Sequence, residues 1–76
     1  MKLREKQYDL LTTEANERLE SCESRDDTLE WLNSQVNSIT NTCISKKSYN
    51  APDTEEWKDR LEGAEDARDQ FIADNF

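Results

Sequence analysis

One glycine (Gly63) and one proline (Pro52) in a chain of 76 residues leave few places for the backbone to reverse sharply. Sheets of short strands need turn residues at every reversal, so a chain this poor in them is expected to be helical throughout. The apolar residues agree. Tyr8, Leu11, Ala15, Leu19 and Cys22 recur every three or four positions, as do Leu29, Leu32, Val36, Ile39 and Cys43 further on. A third set follows in Trp57, Leu61, Ala64 and Phe71, with Ile72 beside it. This is the spacing of one face of an α-helix, repeated three times. The expected fold is all-α, a small three-helix bundle forming a single domain over residues 1–76. Its antiparallel helices are expected over about 2–22, 25–45 and 53–75.

The breaks between stripes carry their own signals. Ser24 is placed to cap the second helix, with Asp27 three residues on in a capping-box-like pair. The short connection there makes the first two helices expected antiparallel neighbours. Lys46 to Pro52 reads as a loop, because Pro52 disfavours helix at Ala51. Asp53, with Glu56 three residues later, is the expected cap of the third helix. The second helix is unusual in holding no charge from Trp31 to Ser45. Its Ser, Asn and Thr residues are mediocre helix formers, so packing has to fix it. Three readings stand for this stretch: a central helix touched by both others, an uncharged partner interface, or an extended strand over 37–45.

Composition sets the limits. A chain of this length buries only around 60% of its unfolded surface. Just 33% of residues are apolar and 37% charged, against about 45–50% and 25% in average domains. Self-association or a bound partner is therefore expected to add stability. Disorder is the competing outcome for such a composition; the periodic placement of the apolar residues, including Trp31, Trp57, Phe71 and Phe76, opposes it. No apolar run approaches the ~18 residues of a membrane span, and the first residues lack the apolar core of a secretion signal. A cytoplasmic location is the expectation, in a host cell if the chain is phage-encoded.

The net charge is −8, and residues 53–76 contribute most of it, with three bases and nine acids. Direct nucleic-acid binding is disfavoured, since phosphate contacts need a basic patch; an anionic membrane surface is disfavoured likewise. There is no histidine, which removes Ser-His and Cys-His nucleophilic pairs, the usual zinc sites and the Glu-x-x-His pattern of di-iron bundles. No loop has the glycine-centred ligand spacing of an EF-hand. No enzyme activity, metal or cofactor is expected. Cys22 and Cys43 are expected as buried free thiols. Across an antiparallel pair they would lie ~24 Å apart, far beyond the ~7 Å reach of a disulfide.

What remains is surface. Glu55, Asp59, Glu62, Asp66 and Asp69 step by four, three, four and three, and so form a ladder of carboxylates along one side of the last helix. Five like charges in a row repel one another, which points to a positively charged partner. The ladder spans ~21 Å, with successive carboxylates ~5 Å apart along the axis, comparable with successive phosphates on a nucleic-acid strand. A second candidate surface is apolar: Leu3 and Leu10 lie off the main stripe of the first helix, packing at the bundle's edge or offering a small contact to a second copy or another protein, and Trp31 lies off that of the second, meeting the third helix or a partner. Arg68 stands within the apolar stripe of the third helix, its stem expected on the core and its head on a carboxylate.

The leading expectation is a non-catalytic, acidic protein-binding inhibitor or modulator. It would act as a nucleic-acid mimic in the basic groove of a DNA- or RNA-handling protein. In size and charge the chain resembles the small acidic helical inhibitors that bacteriophages make against nucleic-acid-handling host proteins, a resemblance that carries over no residue roles. The alternative is a helical assembly module, as a homodimer or a subunit of a larger complex, whose acidic face serves only solubility.

Overall fold

The computed structural model describes residues 2–76. Three α-helices follow in order, α1 (Leu3–Glu20), α2 (Arg25–Ser48) and α3 (Thr54–Asn75). The all-α three-helix architecture is the one the apolar stripes predict, and residues 37–45 lie inside α2 rather than in a strand. The molecule is elongated, with extents of 42 × 24 × 19 Å.

Helix ends differ from expectation for identifiable reasons. α1 stops at Glu20, not at Cys22, because Cys22 adopts a left-handed conformation (φ 68°). The Cys22 N–H donates to the Leu19 carbonyl at 3.1 Å and the Glu23 N–H to that of Arg18 at 3.0 Å, which is a Schellman closure. Cys22 is consequently exposed, against the expectation of a buried thiol. α2 runs three residues past its expected end and closes the same way, with Asn50 left-handed (φ 53°) and the Ala51 N–H on the Lys46 carbonyl at 3.0 Å. Its start is as expected, Ser24 Oγ accepting from the Asp27 N–H at 3.1 Å. α3 begins differently. Asp53 makes no side-chain cap; its carboxylate instead accepts from Trp57 Nε1 at 3.2 Å and pairs with Lys46 Nζ at 3.1 Å. Thr54 bonds back to the Ala51 carbonyl at 2.7 Å and tightens the turn.

The central helix is α3, not α2. Both α1 and α2 pack extensively against α3, while α1 and α2 touch each other sparsely despite their short connection. The cause lies in side-chain size. Gly63, Ala64 and Ala67 are fully or nearly buried on α3, and small residues let neighbouring helices approach closely. Gly63 receives the backbone of Arg4 directly: a Cβ placed there would lie 3.0 Å from the Arg4 carbonyl carbon and closer still to its oxygen. Leu11 and Ala15 of α1, Leu32, Val36 and Ile39 of α2, and Ala64, Ala67 and Phe71 of α3 form the core.

α2 runs antiparallel to α3, as shown by the Cys43–Trp57 and Arg25–Asn75 contacts at its two ends. α1 meets α3 in parallel, but its first turn reaches only the middle of that helix, at Gly63. The closed end of the α2–α3 hairpin therefore projects beyond α1. Where α1 passes into α2, polar groups tie the connection to both helices. The fully buried Thr28 donates to Glu23 Oε2 at 2.7 Å. Glu23 also pairs with Arg18 at 3.2 Å, and the Arg18 guanidinium lies 4.3 Å from the Trp31 ring centroid. At the same end Phe76 is held between Phe71, 6.3 Å away by ring centroids, and Arg25, whose guanidinium lies over it at 4.8 Å.

Candidate functional site

The five carboxylates of the ladder occupy one flank of α3, and none lies in the core. Their position follows from the helix period. Glu62 and Gly63 are consecutive, so they sit ~100° apart around the axis. Since Gly63 faces α1, the Glu62 stripe runs alongside α1 without being covered by it.

That proximity changes the ladder. Arg4 of α1 reaches across, donating from Nε to Asp66 Oδ2 at 2.8 Å and from Nη1 to Glu62 Oε2 at 3.2 Å. The three side chains remain 50%, 42% and 43% exposed. The hydrogen bond and charge of Asp66, helped by Glu62 and Asp59, hold the Arg4 guanidinium still more firmly protonated than usual. Asp69 pairs with its neighbour Arg68 at 3.1 Å, and Arg68 is half-buried as its place in the apolar stripe predicts. Glu55 and Asp59 are exposed and form no ion pair among the described residues. The flank is thus a free anionic segment (Glu55, Asp59) followed by an internally paired one (Glu62, Asp66, Asp69).

Beside it, α1 and α3 enclose an open groove of about 830 Å³ into which Glu5 and Asp9 of α1 bring further carboxylates opposite Asp66 and Asp69. Lys2 and Arg4 stand along the same groove. Among the described residues no three His, Cys, Asp or Glu side chains gather as metal ligands, and no helix is long and apolar enough to cross a membrane.

The apolar candidates separate. Leu10 is 64% exposed, over a shallow depression with Lys6, Thr13 and Glu17. Leu3 is half-buried. Trp31 packs against the core, with Arg18 of α1 over its ring. Sequence reasoning missed two further exposed apolar residues at the projecting end of the hairpin, Ile44 (63%) and Tyr49 (62%). Cys43, nearby, is a half-buried thiol that donates to the Trp57 carbonyl at 3.3 Å; burial pushes its pKa up.

Arg4 and Gly63 were also missed as parts of the site. The available signal was a lone glycine in mid-helix, one residue from the ladder and next to Ala64, which marks where another helix comes close. The chain matches no protein-family profile, no curated protein and no solved structure.

Proposed function

We propose that this protein is a non-catalytic binding module that inhibits or modulates a protein with a basic surface, using the acidic flank of α3 as its contact. A nucleic-acid-binding groove is the class of partner surface that suits it, and action in a cytoplasm goes with that reading. The observation that carries it is the gathering of the five ladder carboxylates on one flank, Glu55 and Asp59 exposed and without ion pairs among the described residues, continued across the groove by Glu5 and Asp9. Such a surface steers a cationic partner at long range and binds it with an affinity that falls as salt rises.

Glu62 and Asp66 hold Arg4, so neutralising them would disturb the α1–α3 contact as well as the charge. The cleaner test substitutes Glu55→Gln and Asp59→Asn together. With the partner captured at low ionic strength, this variant should bind more weakly, lose part of its salt dependence, and compete less well against duplex DNA for that partner. Unchanged affinity and salt dependence would remove the reading.

A second reading is favoured by the exposure of Leu10, Ile44 and Tyr49, and it makes the protein a helical assembly module. Leu10→Asp discriminates, since Leu10 contributes nothing to the core. Loss of the complex in Leu10→Asp, with Glu55→Gln/Asp59→Asn unaffected, would establish assembly through apolar contact. Trp31→Ala is a poorer probe because Trp31 also supports the core.

A further inference from the structure

We infer that the outer face of α2 is the contact surface for a second copy of this chain, the two α2 helices packing antiparallel about a two-fold axis at Asn37. The inference stands apart from the acidic flank, because no residue of the contact belongs to α3.

Charge singles out this face. The exposed sides of α1 and α3 carry acids, among them Glu5, Asp9 and Glu17 on the first and Glu55 and Asp59 on the second. Two copies meeting there would set like charge against like. In α2 the charges are sorted along the helix instead. Asp26, Asp27 and Glu30 stand at its start, nothing charged follows from Trp31 to Ser45, and Lys46 and Lys47 stand at its end. Arg25 is drawn away to the Asn75 carbonyl and the Phe76 ring, and Lys46 to Asp53. Lys47 is exposed and forms no ion pair among the described residues. The helix dipole favours this order within one chain, and the same order makes the helix complementary to its own reversed copy. Parallel pairing would oppose acid to acid and lysine to lysine.

Spacing supplies the register. Asp26, Glu30, Asn33, Asn37, Asn41, Ile44 and Ser48 are all exposed, at intervals of four, three, four, four, three and four. They form one straight stripe at helical period, and its intervals read the same in both directions from Asn37. Reversal about Asn37 therefore lays stripe on stripe, each contact made twice as an isologous pair requires. Asn37 meets its own copy, Asn33 meets Asn41, and Asp26 comes level with Lys47 and Ser48. Ile44, 63% exposed, comes opposite Glu30, whose carboxylate extends past it to Lys47.

The asparagines supply the bonds. The hydroxyls of Ser34, Thr40 and Thr42 donate to carbonyls of their own helix, whereas the side chains of Asn33, Asn37 and Asn41 make no hydrogen bond among the described residues. Each amide holds both donors and an acceptor, and asparagine at a helix seam fixes register and orientation. A single helix pair buries less than the ~1,200 Å² of a stable complex, so the dimer is weak, with a Kd of about 10–500 μM.

The test is sedimentation equilibrium of the full chain under reducing conditions, from about 10 μM to 1 mM. Wild type should pass from monomer to dimer across that range. Asn37→Lys sets two lysines on the axis and should weaken association at least about ten-fold, with helix content by circular dichroism unchanged because Asn37 is exposed. Asp26→Lys or Lys47→Glu alone should weaken it, and Asp26→Lys/Lys47→Glu together should restore it. A wild type monomeric throughout would overturn the inference. So would unaltered association in Asn37→Lys, or a double exchange no better than the single ones. Cross-linking covers the case in which reversed end charges unsettle the helix. Under mild oxidation Cys22→Ser/Asn37→Cys should form a covalent dimer much faster than Cys22→Ser/Asn33→Cys, whose paired thiols would be offset by eight residues, ~12 Å; equal rates would overturn it. The Glu55→Gln/Asp59→Asn variant should dimerise as wild type does, so failure of the dimer and failure of the acidic flank are read separately.

Discussion

Gly63 and Arg4 meet backbone to backbone, and this contact sets both the packing of α1 and the position of the guanidinium on the acidic flank. A methyl group at Gly63 has no room, because the obstructing atoms belong to main chain. Gly63→Ala should therefore destabilise the fold by about 1–3 kcal/mol for overpacking, even though alanine gains up to ~1 kcal/mol in helix propensity. Chemical denaturation would measure it. The Arg4 side-chain pairs should weaken in the same variant as α1 is pushed outward. A neutral or stabilising outcome would mean that α1 does not pack there.

Cys22 sits at a left-handed position that glycine takes without cost. Cys22→Gly should stabilise the protein by up to about 1 kcal/mol, raising Tm by roughly 4–8 °C per kcal/mol in a domain of this size. Its thiol is exposed, so no packing is lost. A fall in Tm would indicate that α1 ends elsewhere.

Thr28 is the fully buried polar residue where α1 passes into α2. Thr28→Val preserves shape but removes the donor to Glu23 Oε2. Glu23 would keep Arg18 and lose its second partner, at a cost of about 1–2 kcal/mol. A denaturation midpoint equal to that of wild type would show the hydroxyl to be dispensable.

The Lys46–Asp53 pair links the end of α2 to the start of α3. The hydrogen bond from Lys46 lowers the Asp53 pKa below its usual 3.8, so in the acid range the unfolded chain takes up this proton first and stability rises with pH there. The contribution is present at neutral pH and disappears as pH falls through the depressed folded value. Lys46 shows the mirror effect: its pKa is raised above 10.5 by Asp53, and its contribution is lost as pH rises through that raised value. Asp53→Asn should thus be less stable than wild type at neutral pH and should match it in strong acid, as urea titrations across the acid range would reveal. A difference that persists in strong acid would assign the effect to the Trp57 hydrogen bond instead.

Helix number and approximate extent were legible because periodicity depends only on local spacing. The stripe Leu29, Leu32, Val36 and Ile39 needed no knowledge of partners, and Ser24 announced its helix by side-chain chemistry alone. Which helix lies in the middle was not legible. Three amphipathic stripes of similar strength can be arranged in several ways, and here the choice fell to Gly63, Ala64 and Ala67, whose importance comes from how little space they fill. Neither close was legible: cysteine carries no stop signal at Cys22, and Asn50, which tolerates the left-handed region, lay within the loop expected over 46–52. The ladder's spacing was visible as a helical pattern. Its pairing was not, since nothing local connects Arg4 with residues some sixty positions away.

The sparse contact between α1 and α2 has a consequence for how the molecule comes into being. Translation delivers the two outer helices first, and neither offers the other enough apolar surface to offset the entropy of becoming ordered. Their common support follows them in the chain. The chain should therefore leave the ribosome without stable tertiary structure and assemble in one cooperative step once the segment after Pro52 has emerged, so a product halted before that point should be a ready target for proteases.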